Sequence, residues 1–273
     1  MQSYGIQKQD ASLPRGDWGG WEGLYGLPSE AKFRGQGMIK VDPKDKDLVI
    51  DLILQRTGAF LAIPGSDVPL SNWFKFGNRE GLYEHLVSSN MLHLYLEKTL
   101  GELEWEAKNL SCAMEDVRGS LVSIGPGNGV IEFMLATSGR FDELMLIDIE
   151  RTDEHHHGYN KTGAGYTDLD RTRSFITDNL DKKLRISTWN PLKQPLPEFG
   201  FDCMISILSM GFHYPCDEYV DFVSRNARKN SLLIFDLRKG VRDYGMQRLS
   251  TLASNVTILS ESNKSQRLKI TIR

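Results

Sequence analysis

Cysteine is scarce in this chain of 273 residues, which holds only three. Cys112, Cys203 and Cys216 are too few and too scattered for a disulfide framework or a zinc module. We therefore expect a reducing compartment and a cytoplasmic protein. No stretch approaches the roughly 18 apolar residues of a membrane-spanning helix, and the first twenty residues lack the apolar core of a secretory signal. The sequence thus predicts no membrane insertion.

The chain also lacks an excess of positive charge. Its 33 Lys and Arg residues stand against 36 Asp and Glu residues, which gives a formal net charge of −3. A generally basic surface that would bind phosphate backbones is excluded, so we expect no nucleic-acid partner. Apolar residues make up 40% and charged residues 25% of the chain, as is usual for a globular protein, and the length predicts one or two domains.

Regular alternation of strand and helix is missing from the first part of the chain. Residues 1 to about 80 are rich in Gly, Pro and aromatic residues and are predicted to be mostly irregular. Within them, residues 47–55 form an apolar segment that could be a helix or a strand. Apolar residues then recur at helical spacing over 82–110, which predicts a helix. We expect residues 1–118 to form a helical and irregular cap that closes over a substrate.

From residue 120 onward, short apolar strands alternate with helices. This alternation predicts an α/β fold with a mostly parallel sheet and helices on both faces. The last two strands are too close in sequence for a crossover helix, so we expect an antiparallel hairpin at one edge of the sheet. The predicted strands cover 121–124, 144–149, 184–188, 201–208, 231–237, 256–259 and 268–272, and the predicted helices cover 130–137, 171–180 and 218–228.

Three glycines alternate where the first strand ends and a helix begins: Gly125, Gly127 and Gly129. Glycine permits positive φ and a close approach of the backbone to a ligand, and open α/β sheets bind ligands outside the carboxyl ends of their strands. A dinucleotide-binding fold would need its third glycine at the position of Val130, so a dehydrogenase is disfavoured. No Gly-Lys-Ser/Thr sequence follows, which excludes a nucleoside-triphosphate loop.

This G-x-G-x-G turn resembles the first motif of the class I S-adenosylmethionine-dependent methyltransferases, and the resemblance covers about residues 119–273. Asp148 stands nineteen residues after Gly129, at the end of the second strand, where an acid could accept hydrogen bonds from both ribose hydroxyls. One residue departs from the family: many members carry an acid two residues before the first glycine, where this chain has Ser123. The resemblance implies S-adenosylmethionine as cofactor and a Rossmann-like, seven-stranded sheet with a terminal antiparallel hairpin, formed by 119–273.

Four further segments resemble a group of bacterial proteins described as sugar O-methyltransferases, often found in polysaccharide biosynthesis. They are residues 158–160, 163–169, 201–202 leading into 206–215, and 235–238. This likeness implies methyl transfer to an oxygen, with a free, nucleotide-linked or glycan sugar hydroxyl as the acceptor. No Asp-Pro-Pro-Tyr or Asn-Pro-Pro-Tyr sequence follows the fourth strand, although enzymes that methylate nucleic-acid bases usually carry one.

His213 lies just past the fourth strand, at the edge where the acceptor should bind, and is the predicted general base. The alternative is that it hydrogen-bonds a loop and orders the turn at Tyr214 and Pro215. Asp236 and Arg238, at the end of the fifth strand, are predicted to bind acceptor hydroxyls or else to form structural ion pairs. The predicted cofactor residues are Gly125, Gly127, Gly129, Asp148, Asn190 and Ser209, and the predicted acceptor residues are Tyr159, Tyr166, Tyr214, Asp236 and Arg238.

Other polar and aromatic residues are assigned simpler roles. No metal is expected, because Asp148, Asp202 and Asp236 are each assigned a role that needs no metal. Asp202 precedes its strand and should cap or pair at the far end of the sheet. The histidines at 155–157 are adjacent and share no face of a helix or strand, so a solvated loop is favoured over a metal site. Four aromatic residues could stack on a sugar ring or, more commonly, anchor loops: Trp18, Trp21, Trp73 and Phe76.

The sequence leaves two alternatives open beside a sugar O-methyltransferase. One is a methyltransferase that acts on another small molecule, such as a hydroxyl or amine of a secondary metabolite, because pocket shape decides the acceptor. The other is a non-catalytic binding module that keeps the methyltransferase fold as a scaffold. A homo-oligomer is also left open.

Overall fold

The N-terminal part of the described chain is helical. The computed structural model describes residues 39, 41–153, 158–181, 183–241 and 244–273. The prediction of mostly irregular chain up to about residue 80 is wrong for 46–76, and the apolar segment at 47–55 is a helix. The helices of this part are α1 (Lys46–Gln55), α2 (Thr57–Leu61), α3 (Asp67–Phe76), α4 (Glu80–Ser88) and α5 (Leu92–Ala113).

Burial explains why helix α1 has no amphipathic pattern in the sequence. Every residue from Leu48 to Leu54 is buried, so no polar stripe marks a solvent-facing side. The Asp45 side chain accepts a hydrogen bond from Leu48 N at 3.1 Å and caps the start of the helix. The predicted single helix over 82–110 is instead α4 and α5, which separate at Asn90, where φ is +58°.

The C-terminal part is a seven-stranded α/β sheet, which confirms the predicted Rossmann-like fold with a terminal antiparallel hairpin. Its elements are β1 (Gly119–Ile124), α6 (Val130–Thr137), β2 (Phe141–Ile147), α7 (Leu169–Asn179), β3 (Arg185–Trp189), β4 (Phe201–Ser206), α8 (Asp217–Asn226), β5 (Ala227–Arg238), α9 (Tyr244–Leu252), β6 (Ala253–Glu261) and β7 (Ser265–Ile272). The strand order is β3-β2-β1-β4-β5-β7-β6. Strands β1 to β5 are parallel, and β7 runs antiparallel between β5 and β6. Helix α9 was not predicted from the sequence. Among the described residues, no helix is long and apolar enough to cross a membrane.

Side chains of β1 alternate between two cores. Leu121 packs in the core that contains residues of α1 to α7, whereas Val122 and Ile124 pack in the core that contains residues of α8 and α9. The N-terminal helices therefore cover the same face of the sheet as α6 and α7. At the amino end of β4, Asp202 accepts a hydrogen bond from Ser120 N at 2.8 Å, as expected for a pairing role far from the predicted site.

Four buried charges join the N-terminal helices to the sheet. Glu106 on α5 forms an ion pair with Arg56, which follows α1, and another with Arg267 on β7 at 2.7 Å. Arg267 in turn binds both carboxylate oxygens of Asp236 on β5 at 2.8 Å, and each of the four residues is at most 6% exposed. Burial alone would raise the pKa of Glu106, but the two guanidinium groups outweigh it and hold that pKa below its ordinary value.

Replacing Glu106 with alanine is expected to lower the free energy of unfolding by about 3–5 kcal/mol, because two buried guanidinium groups lose their shared carboxylate. Glu104→Ala is the matched control. Glu104 lies on the same helix and pairs with the exposed Lys108, so its loss should cost less than about 1 kcal/mol. Urea denaturation followed by circular dichroism measures both variants. Equal losses would show that the buried network contributes no more than a surface pair.

Candidate active site

The glycine turn between β1 and α6 has left-handed backbone at each glycine. The φ angles are +67° at Gly125, +61° at Gly127 and +82° at Gly129, values that residues with a side chain rarely adopt. Space is tight as well. A Cβ at Gly125 would collide with Ser209, and a Cβ at Gly127 would lie 2.7 Å from Nε2 of Gln55. The turn therefore presents bare backbone to side chains from two other parts of the chain.

Asp148 directly follows β2 and lies beside this turn. Gly125 N donates to Ile147 O at 2.8 Å, which ties the turn to the end of β2. The half-buried carboxylate accepts from Glu150 N at 2.8 Å through Oδ1 and from the Thr167 hydroxyl at 3.5 Å through Oδ2. Burial raises the pKa of Asp148 to about 6. Because the contact of Oδ2 is long, this oxygen keeps the capacity to accept from a ligand.

Asn190 follows β3 and holds the segment next to Asp148. Its Nδ2 donates to Ile149 O at 3.0 Å and to Oε2 of Glu150 at 2.6 Å, while its Oδ1 accepts from Leu192 N at 2.9 Å. Both amide hydrogens are thus engaged with the chain, and the residue orients the backbone that carries Asp148. Its direct contact with a cofactor stays a prediction.

The loop after β4 brings Ser209 and Tyr214 to the turn. The Ser209 hydroxyl lies 3.2 Å from the Tyr214 hydroxyl, and the Tyr214 ring packs against Gly163, where a Cβ would come within 2.9 Å of it. Leu208 has a φ of +53°, and its N–H donates to Oδ2 of Asp236 at 3.0 Å. Asp236 was predicted to bind acceptor hydroxyls or to form an ion pair, and in the structure it pairs with Arg267. The hydrogen bond from Leu208 N attaches the loop to this paired carboxylate.

His213 lies in a second cluster on the same loop. His213 N donates to Ser209 O at 2.8 Å, and its Nδ1 lies 3.4 Å from Gly158 O. The Phe212 ring meets the imidazole edge-on at a centroid distance of 4.9 Å. The Arg238 guanidinium lies 4.4 Å from the centroid of the same ring, and its Nε donates to Phe212 O at 2.7 Å. The imidazole is therefore ordered by loop contacts and remains half-buried beside a cationic side chain.

The segment between β2 and α7 carries two more of the predicted acceptor residues. Burial raises the pKa of the Tyr166 phenol, and the nearby Asp148 carboxylate adds to the rise. Tyr166 O accepts from Nη1 of Arg79 at 2.8 Å, which ties the segment to the N-terminal helices. Tyr159 is half-buried and close enough to Arg238 for the two side chains to interact electrostatically. Apart from Asp236, which lies in the buried ion network, the predicted residues thus form one group around Asp148 and another around His213.

Three polar residues at the glycine turn were not predicted from sequence. Gln55 ends α1, Asn128 lies within the turn, and Glu132 lies in the first turn of α6. Each has a buried atom without a hydrogen-bond partner in the described part of the chain, namely Gln55 Oε1, Asn128 Nδ2 and Glu132 Oε2. The only sequence signal was an acid inside the otherwise apolar helix VIEFMLAT. Buried unpaired polar atoms are rare in native proteins, and where they occur a ligand or a water molecule commonly completes their hydrogen bonding.

Burial raises the pKa of Glu132 to about 7, despite a hydrogen bond from the Ser123 hydroxyl at 2.6 Å. Since this folded-state pKa exceeds the ordinary value of 4.5, the ionised carboxylate destabilises the fold above pH 7, and the penalty disappears below pH 4.5. The unfolding free energy of Glu132→Gln minus that of the wild type should therefore rise by about 1–3 kcal/mol when the pH is raised from 5 to 8.

Urea denaturation of both proteins at pH 5 and pH 8 measures this difference. Glu104→Gln removes a carboxylate from the partly exposed side of α5 and should show no comparable change. A stability difference between Glu132→Gln and the wild type that is the same at both pH values would contradict the prediction, since Glu132 would then ionise normally.

Other residues singled out in the sequence lie elsewhere. Trp18, Trp21 and the histidines at 155–157 lie outside the described residues. Trp73 is buried in the helical core, and Phe76 is 77% exposed at the end of α3. Within the described ranges, no group of three His, Cys, Asp or Glu side chains could hold a metal ion.

Comparison with known proteins finds similarity in solved structures, whereas no family model and no curated protein matches. The T. thermophilus 16S rRNA N2 G1207 methyltransferase RsmC, in complex with AdoMet and guanosine, is 13% identical with a TM-score of 0.42, over 63% of this chain and 42% of that one. This chain thus spans about two fifths of the length of that protein. A SAM-dependent methyltransferase from Aquifex aeolicus is 13% identical over 61% of this chain and 89% of its own, with a TM-score of 0.42. The S-adenosylmethionine-dependent methyltransferase SibL, in its apo form, is 10% identical over 82% and 74%, with a TM-score of 0.46.

Proposed function

We propose that this chain is an S-adenosylmethionine-dependent methyltransferase that acts on an oxygen, with a sugar or glycan hydroxyl as acceptor. The observation that carries the proposal is the placement of Asp148 beside the glycine turn, at the carboxyl ends of the adjacent parallel strands β1 and β2. The bare backbone of the turn suits close contact with a ligand. The Asp148 carboxylate is suited to accept hydrogen bonds from two ribose hydroxyls.

The donors and acceptors around the turn fit this cofactor. When bound, S-adenosylmethionine supplies an electrophilic methyl group on a sulfonium. Asp148 would hold the ribose, and the unpaired atoms of Gln55, Asn128 and Glu132 offer partners for the polar amino-acid end. The Tyr214 hydroxyl lies 3.2 Å from that of Ser209 beside the turn, and its ring supplies an aromatic face of the kind that attracts a cationic sulfur.

The His213 cluster supplies the acceptor chemistry. For methyl transfer from the bound cofactor to the acceptor hydroxyl oxygen, the hydroxyl proton would have to be removed by the protein. With Nδ1 facing Gly158 O, Nε2 of His213 takes this proton. Arg238 and Tyr159 lie close by and can hydrogen-bond the neighbouring hydroxyls of a sugar. The remaining acceleration would come from holding the acceptor oxygen in place for the transfer.

Binding of S-adenosylhomocysteine, the product form of the cofactor, tests the proposal most directly. Isothermal calorimetry is expected to show micromolar affinity, on the order of −8 kcal/mol, and no binding of NAD⁺. Asp148→Ala should weaken the affinity at least about tenfold, because the ribose hydroxyls lose a charged acceptor. Asp142→Ala, at the exposed and opposite end of the same strand, should leave it unchanged. Failure of the wild type to bind would favour a non-catalytic scaffold.

His213→Ala is expected to leave the affinity for S-adenosylhomocysteine nearly intact and to lower turnover by roughly 10²–10⁴. The measurement needs an acceptor, which a screen of sugars, nucleotide sugars and glycans with methyl-labelled S-adenosylmethionine would identify. Unchanged turnover would remove His213 from the role of base. Transfer to non-sugar hydroxyls or amines alone would replace the sugar acceptor with another small molecule.

A further inference from the structure

A carboxylate next to the glycine turn, in the first turn of α6, has incomplete hydrogen bonding within the described part of the chain. Glu132 is 3% exposed, and its Oε1 accepts from the Ser123 hydroxyl at 2.6 Å. Its Oε2 is buried and has no hydrogen-bond partner among the described residues. Because leaving a buried acceptor unpaired is costly, a carboxylate kept in this state indicates a partner beyond the described residues.

Within the described ranges, the charged groups around Glu132 do not supply that partner. The carboxylate faces Ser123 from β1, Glu106 from α5 and Arg56 from the end of α1. Arg56 is itself paired with Glu106, which also binds Arg267, so this guanidinium is already matched by a carboxylate. Burial accordingly raises the pKa of Glu132 to about 7. A cation at Oε2 would keep the carboxylate ionised.

Two further buried atoms near the turn lack hydrogen-bond partners among the described residues. Gln55 contributes Oε1, an acceptor, and Asn128 contributes Nδ2, a donor. The amide of Gln55 lies directly against the backbone of Gly127. Together with Glu132, these residues have two unpaired acceptors, one of them a carboxylate, and one unpaired donor. An ammonium group needs acceptors and a carboxylate needs donors, so this set matches a zwitterionic amino acid.

We propose that Glu132 binds the α-ammonium group of the amino-acid end of the cofactor, with Gln55 as a second acceptor and Asn128 as a donor to the carboxylate. This inference rests on the proposed function and adds the residues that recognise that end of the cofactor. The acid lies in the first turn of α6. The position two residues before the first glycine is occupied by Ser123 and carries no acid. Ser123 is a positioning residue that acts through Glu132.

The test compares S-adenosylhomocysteine with its analogue that carries hydrogen in place of the α-amino group, by calorimetry on the full chain. Glu132→Gln keeps the size of the side chain and an acceptor for Ser123 but removes the charge. We expect this variant to bind S-adenosylhomocysteine about 10- to 100-fold more weakly than the wild type, and to bind the deamino analogue within about twofold of the wild type. Glu104→Gln, the matched control on α5, should bind both ligands as the wild type does.

Each contrary result has a definite meaning. Equal affinity of the wild type and Glu132→Gln for S-adenosylhomocysteine would overturn this inference and leave the proposed function standing. An equal loss toward both ligands would also overturn it, because the ammonium group would then not be what Glu132 recognises. Failure of the wild type to bind S-adenosylhomocysteine would overturn the proposed function and this inference with it. Thermal unfolding of each variant ensures that the affinities belong to folded protein.

Discussion

The burial of four charges against one face of the sheet is the constraint on which the rest of the structure depends. Glu106 lies between Arg56 and Arg267, and Arg267 binds Asp236. An uncompensated charge in this interior would cost several kcal/mol, so the four side chains must be assembled together. Because Asp236 also accepts a hydrogen bond from Leu208 N, the same assembly fixes the loop that carries Ser209 and His213.

This dependence explains how a helical region contributes to a site on the sheet. Arg56 follows Gln55 directly in the chain, so the ion pair that holds Arg56 in the interior also brings the Gln55 amide against Gly127. The last residue of helix α1, which lies far from the glycine turn in sequence, thus places a polar side chain against that turn. The acceptor side is attached differently, through contacts of residues 158–160 with the loop after β4.

The parts of the site that the sequence predicts are those set by local pattern. Apolar runs mark β1 and β2, and because adjacent parallel strands end at the same edge, Gly125 and Asp148 had to meet there. Helix α1 resists prediction because burial on all sides removes the amphipathic period. The contact between Glu106 and Arg267 joins residues 161 positions apart, and no local pattern encodes it. The sequence therefore predicted that Asp236 binds acceptor hydroxyls or forms an ion pair, but it could not identify the residues that contact its carboxylate.

Ser123 shows why a departure from a motif should be judged by the side chains around it in the fold. In the sequence, a serine two residues before the glycine turn reads as the loss of an acid. In the fold, its hydroxyl donates to Glu132, whose carboxylate reaches the same place from α6. An aspartate at 123 would put two carboxylates face to face in a buried site, and each would raise the pKa of the other. Serine at 123 and glutamate at 132 thus act as a pair, and the carboxylate at this place comes from α6 rather than from β1.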